Sequence, residues 1–190
     1  EIEETYAKSS IIETPNGKYG IIQLPKFYID FETRDNRDAF KDVAKEIERL
    51  KEQKVEGIIM DLRNNGGGSL QTVVDMVGLF IDQGPVVQVR SQKGQRNVLF
   101  DKDPKVQWNG PLVVMINNYS ASASEIFAAA IQDYNRGIIV GSKHSYGKGT
   151  VQNMFDLNSI IKVKDYDFGS IKFTSQKFYR VDGGSTQLKG

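Results

Sequence analysis

The sequence predicts an α/β domain built on a partly parallel sheet. Three observations carry that expectation. Short apolar runs of strand length alternate with stretches of helical period. An apolar run, a small-residue loop and a helical stretch occur in that order twice, at 55–82 and again at 111–134. Finally, the 190 residues contain no low-complexity tract or linker to divide them, and that length suits one domain with a substantial core.

Taken in order, residues 1–17 read as a polar lead-in that ends in the turn signature Thr14-Pro15-Asn16-Gly17. Lys18 to Phe27 reads as a strand. Asp35-Asn36-Arg37-Asp38 opens a helix with Ala39, Phe40, Val43, Ala44, Ile47 and Leu50 on one face. Val55 to Leu62 is a buried strand that runs into Gly66-Gly67-Gly68. Three consecutive glycines carry an entropic cost, so something should need their backbone freedom. A second helix follows, with Leu70, Val73, Val74, Val77, Phe80 and Ile81 inward, broken by Gly84-Pro85. Residues 86–90 form a strand, 91–110 a polar, turn-rich stretch with Trp108 as a packing residue, and 111–117 another buried strand. The Ala-rich run after Ser122 is a helix, and 137–141 a further strand. From Thr150 the chain is expected to be mainly β, with strands over 150–157 and 170–181.

Composition narrows the chemistry. The formal net charge of +1 implies neither nucleic acid nor an anionic membrane surface as partner, and no apolar run approaches bilayer length. Zero cysteines exclude disulfides, cysteine nucleophiles and thiolate metal sites, and fit an envelope protein. The single His144 rules out zinc sites built on several histidines. The chain opens at Glu1 with no initiator Met and no signal-peptide pattern, as an excised or processed piece would.

In open α/β sheets, active sites lie where strands hand over to helices. Two such loops are predicted here, and one carries Ser122 at a helix start. There the unpartnered backbone N–H groups and the helix field favour developing negative charge. Ser122 to Glu125 is also a Ser-x-x-Glu capping box, which explains the pattern without any catalysis. A backbone N–H of the glycine loop and the N–H following Ser122 could converge as an oxyanion hole. The glycine run has no Gly-Lys-Ser/Thr at P-loop spacing, and Gly147-Lys148-Gly149-Thr150 lacks the flanking strand and helix.

A serine needs a base. Lys148 serves only if neutral, which requires burial or a nearby positive charge. Tyr146 and Val151 could keep water away, and Gln152 could orient the amine without stabilising its charged form. His144 is the competing base, and Asp133 is most simply a polar residue late in its helix.

Three ordered segments carry a resemblance to one family. They are Asp61-Leu62-Arg63-Asn64-Asn65-Gly66-Gly67-Gly68, Tyr119-Ser120-Ala121-Ser122-Ala123-Ser124-Glu125-Ile126 and Gly147-Lys148-Gly149-Thr150-Val151-Gln152. The chain from about Lys18 onward resembles the carboxyl-terminal processing, or tail-specific, serine peptidases. Its ending, Gln176-Lys177-Phe178-Tyr179-Arg180-Val181-Asp182-Gly183-Gly184-Ser185-Thr186-Gln187, looks like the larger periplasmic bacterial branch. The resemblance implies a crotonase/Clp-protease-like spiral core of strand-strand-helix units with an additional C-terminal β segment. It makes Ser122 the nucleophile, Lys148 the general base and Gln152 the residue that holds the lysine. The N–H groups of Ala123 and of Gly68, or alternatively Gly67, form the oxyanion hole, and Asp133 is structural or accessory. The reaction implied is peptide-bond hydrolysis near apolar C-termini through an acyl-enzyme, with no metal or organic cofactor, in the periplasm or cell envelope.

The chain departs from the family pattern in two ways. The loop Ser142-Lys143-His144-Ser145-Tyr146 is one residue longer than usual, with Ser-Tyr where Thr-Phe is common. The family's PDZ domain, which captures substrate tails, does not fit in these residues, so a single catalytic domain over 1–190 is expected, with a PDZ domain or adaptor as partner. The alternatives are a non-catalytic binding module on the same fold and a crotonase-type acyl-CoA enzyme. Intact Ser122, Lys148 and Gln152 argue against the first, and the lack of an evident glutamate pair at the glycine loop argues against the second.

Overall fold

The computed structural model describes residues 6–30, 37–163 and 166–190. Two sheets, three α-helices and a short 3-10 helix at Leu157–Ser159 make up the described fold. The first sheet has the order β1-β2-β3-β6-β7, formed by Lys8–Thr14, Gly17–Gln23, Gly57–Asp61, Leu112–Ile116 and Ile138–Gly141. Strands β2, β3, β6 and β7 run parallel, and β1 folds back antiparallel on β2 through the turn at 14–17. The second sheet, β5-β4-β9-β8, is antiparallel and unites Gly84–Ser91 (β4) and Arg96–Asp101 (β5) with Thr150–Asp156 (β8) and Ser170–Tyr179 (β9). The C-terminal β segment is therefore built into a sheet with the middle of the chain, and the α/β class holds.

Each helix has a visible local cause. Helix α1, Ala39–Glu52, starts where Asp38 accepts the Lys41 N–H at 2.8 Å, and it buries Ala39, Val43, Ile47 and Leu50. Asp35 and Asn36 of its expected start lie outside the described residues. Helix α2, Leu70–Gly78, is capped by Ser69, and α3, Ala123–Asp133, begins immediately after Ser122. The phenyl rings of Phe27, Phe80 and Phe127 join loop, α2 end and α3, with the Phe80 and Phe127 rings edge-to-face at 5.7 Å.

Three expectations change. Residues 8–14 and 96–101 are strands, although both stretches read as polar. Both are edge strands, whose exposed faces need no apolar alternation. Helix α2 stops at Gly78, well before Gly84-Pro85: the Leu79 carbonyl is taken by the N–H groups of Gln107 and Trp108, both at 3.0 Å, so the chain turns there. Strand β2 ends at Gln23, and the chain then crosses to the glycine loop, where Phe27 bridges Gly68. Trp108 packs as expected, 8% exposed, with its indole N–H donating to Pro111.

The three-ring contact supports a stability prediction. Phe127 is fully buried, so Phe127→Ala should cost about 3–5 kcal/mol. A urea titration that left the unfolding midpoint unchanged would show that α3 is not anchored through this ring.

Candidate active site

Strands β3 and β6 are adjacent and parallel, with Ile58 opposite Leu112 and Asp61 opposite Met115. Their C-terminal ends are therefore side by side, and so are the loops that leave them. Asn65 ties those loops together. Fully buried, it donates from Nδ2 to the Leu24 carbonyl at 2.7 Å and accepts the Gly67 N–H on Oδ1 at 2.8 Å. Its own carbonyl accepts the Ala121 N–H and the Ser124 hydroxyl, both at 2.9 Å.

The serine alternation resolves into three different roles. Ser120 is fully buried and donates its hydroxyl to the Leu62 carbonyl at 2.8 Å, while Ser124, also fully buried, is committed to Asn65. Ser122 alone lines a cavity of about 550 Å³. Its backbone lies at φ 58°, ψ −111°, a costly conformation for a residue with a Cβ. Of the predicted capping box, the glutamate half forms fully, with the Ser122 N–H donating to Glu125 Oε2 at 2.7 Å. The Ser122 side chain takes its capping-box place over the Glu125 backbone without a capping hydrogen bond, its hydroxyl donates to no acceptor among the described residues, and Ser122 lines the cavity.

The glycine run also divides by role. A Cβ on Gly67 would sit 2.7 Å from the Ser122 Cβ, and one on Gly68 (φ 151°) 2.1 Å from the Phe27 carbonyl oxygen, whereas Gly66 faces open space. Phe27 pins this loop from below, donating its N–H to the Gly67 carbonyl at 3.0 Å and accepting the Ser69 N–H at 2.8 Å. Since the Gly67 N–H is spent on Asn65, Gly68 is the residue of the pair whose N–H makes no hydrogen bond among the described residues. Ala123, at the first helical position, likewise has no intrahelical acceptor.

Lys148 reaches the same cavity, as do Gln152 and Val151. Its ammonium donates to Gln152 Oε1 at 3.4 Å, and no hydrogen bond joins it to Ser122. Partial burial holds the Lys148 ammonium below the ordinary lysine range, and the neighbouring Lys172 charge lowers it further, while Glu125 pulls the other way. Both conditions named for a neutral lysine, burial and a nearby cation, are thus present. Tyr146 does not shield the site: it is 64% exposed and outside the cavity, because its backbone is drawn to the Ser120 carbonyl. Val151 does line it. His144 sits on the exposed loop outside this cavity. Asp133 lies at the far end of α3, paired with Arg180 beyond the end of β9, and does not line the cavity.

Two features went unseen in the sequence. Glu125, only 3% exposed, accepts hydrogen bonds from Ser122 N–H, the Ser145 hydroxyl, Gly147 N–H and Lys148 N–H at 2.6–3.0 Å. One carboxylate thereby holds the backbones of Ser122 and Lys148. The C-terminal segment closes over the lysine loop: Thr186 Oγ1 donates to the Lys148 carbonyl, the Leu188 N–H donates to the Gly147 carbonyl, and Gln187 Oε1 accepts the Gly149 N–H. Glu125 could have been suspected from its place in the capping box, but its second set of donors is distant in sequence.

Fold and cavity define the class: an α/β protein with a candidate serine hydrolase site. The chain belongs to Peptidase family S41, whose model matches residues 18–190. It is 49% identical over 189 residues to the tail-specific protease of Haemophilus influenzae, covering all of this chain and 26% of that relative. It is 37% identical to a carboxyl-terminal-processing protease of Synechocystis, covering 76% of this chain and 31% of the relative. The chain thus spans about a quarter to a third of the length of these relatives. The structure of a photosystem II D1 C-terminal processing protease superposes with TM-score 0.75 at 24% identity, over 95% of this chain and 45% of that one, which supports the fold.

Replacing Glu125 by Gln leaves one acceptor oxygen for groups that now share two. The expected cost is about 1–3 kcal/mol per donor left unsatisfied. Amide exchange should also rise at Gly147 and Lys148, and wild-type-like protection there would overturn the bridging role of the carboxylate.

Proposed function

We propose that this chain is the catalytic core of a serine endopeptidase that cleaves protein substrates near apolar C-termini. Ser122 is the nucleophile, Lys148 the general base, and Gln152 the neutral partner that orients the amine. The observation that carries this reading is the fate of the three serine hydroxyls: two are spent on buried carbonyls, and the third belongs to a residue that lines the same cavity as Lys148.

The chemistry follows from that arrangement. Neutral Lys148 takes the Ser122 proton as Oγ attacks the scissile carbonyl. The N–H groups of Gly68 and Ala123 receive the developing oxyanion. The lysine then gives its proton to the leaving amine, and afterwards activates water to release the acyl group. The Oγ-to-Nζ hydrogen bond, open in the free protein, closes when substrate fills the cavity, because catalytic contacts often tighten only in the complex. Leu70, Ile126, Val151 and Phe178 supply an apolar wall that suits an aliphatic substrate side chain. Asp133 acts at a distance, holding the α3 end to Arg180.

The reading extends to a periplasmic or cell-envelope location, consistent with the absence of cysteine and with the bacterial relatives. Among the described residues, no helix is long and apolar enough to cross a membrane. A PDZ domain or adaptor that presents the substrate's tail completes the proposal. The tail-specific name of the 49% identical relative supports cleavage that depends on the substrate's tail.

The test is incubation of this chain, Ser122→Ala and Lys148→Ala with an unfolded protein ending in apolar residues, with products read by mass spectrometry. Each substitution should lower cleavage by roughly a thousandfold or more. Equal cleavage by the Lys148→Ala variant would remove lysine from the mechanism. A pH prediction also follows. Among the described residues, Glu125 on α3, Lys172 on β9 and Lys26 before the glycine loop are the charged groups around Lys148. Activity should rise as pH climbs through the depressed lysine value. In Lys172→Gln the loss of a neighbouring cation raises that value, so the rising limb should move to higher pH. A limb that stays in place would exclude Lys172 as a tuner of the base.

A further inference from the structure

The cavity at Ser122 has an uneven charge. Among the described residues three lysines line it, Lys26, Lys148 and Lys172, and no Asp or Glu side chain does. They arrive from three separate parts of the fold, the crossing after β2, the loop before β8, and β9, so their convergence is tertiary. Among the described residues none of the three forms an ion pair, although the protein's other cations often do so, as Lys18, Lys41, Lys51, Arg63 and Arg180 all show. Among the described residues the Lys148 ammonium is engaged by neutral Gln152 alone, and Lys26 and Lys172 are exposed. Whatever the charge on Lys148, Lys26 and Lys172 put two cations without an ion-pair partner among the described residues at one cavity, and an anion placed between them is attracted by both.

We propose that Lys26 and Lys172 are specificity-determining residues that receive a negatively charged group of the substrate beside the bond presented to Ser122. This rests on the peptidase reading for the occupant, a peptide, but not for the charge preference. Two sources share the chemistry: the free C-terminal carboxylate of a tail cut close to its end, or an acidic side chain near the cleavage point. Leu70 and Ile126 take the neighbouring aliphatic group, so the preferred segment is apolar with one anion at its edge. A basic residue at that position is rejected by the same lysines.

The experiment separates binding from cleavage. Ser122→Ala protein, verified as folded by circular dichroism, is titrated with three fluorescent Ala-Val-Leu peptides. One ends in a free carboxylate, one in an amide, and one in an amide with an internal Asp. The charged peptides should bind roughly fivefold or more tightly than the neutral amide, as expected of partly exposed charge pairs acting together, and the margin should shrink in high salt. Adding Lys26→Gln and Lys172→Gln together should remove the margin, so that the charged peptides bind no more tightly than the neutral amide. Whichever charged peptide holds the larger margin identifies the source. Equal binding of all three peptides, a margin that survives the double substitution, or no binding at all would overturn the proposal. Cleavage by the Ser122-intact chain is read in parallel. Cleavage without charge preference sinks this inference and leaves the peptidase reading, whereas a lysine-dependent binding margin without cleavage does the reverse.

Discussion

The Glu125 carboxylate lies beneath both halves of the cavity, and the geometry of each depends on it. Burying a carboxylate is costly unless its oxygens are fully hydrogen-bonded. Here four donors from two distant segments meet that need. Charge-assisted bonds of this kind are stronger than neutral ones, and the first turn of α3 adds a favourable field. The same contacts that solvate Glu125 set the distance between the Ser122 backbone and the Lys148 backbone. The 142–146 loop delivers Lys148 to the cavity because Ser145 and Gly147 dock on the same carboxylate.

Asn65 does for the two strand-end loops what Glu125 does for serine and lysine. By accepting the Gly67 N–H it leaves the next N–H of the loop without an internal acceptor, and by accepting Ala121 and Ser124 it fixes the serine loop against the glycines. The strained backbone of Ser122 is held between these two anchors. Strain of this sort persists only where the surroundings over-determine it, and Asn65 and Glu125 on either side are those surroundings. Neither side chain is a candidate for the chemistry, since the hydrogen-bonding groups of both are committed.

What could be read from sequence follows burial. Buried strands and the apolar faces of α1 and α2 announced themselves through composition and period, because burial on a fixed geometry demands a pattern. The edge strands β1 and β5 did not, since an exposed edge imposes no such demand. The early stop of α2 was also hidden, because its cause is a pair of N–H groups nearly thirty positions away. At the site, Ser122, Lys148, Gln152, Gly68 and Ala123 stood out in short motifs, and all five line or border one cavity. Choosing Gly68 over Gly67 took the Asn65 contact. Tyr146 was misplaced because the direction of a side chain on a loop depends on where its backbone is held.

Sequence alone determined the α/β class, the two strand-loop-helix units and the residue types able to perform acyl transfer, since local period and loop composition encode these directly. Only the tertiary structure decided which of three serines keeps a free hydroxyl. It also decided which glycine keeps a free N–H and which charges surround Lys148. Each of those outcomes depends on hydrogen bonds and fields between segments tens of residues apart, and no local pattern carries them.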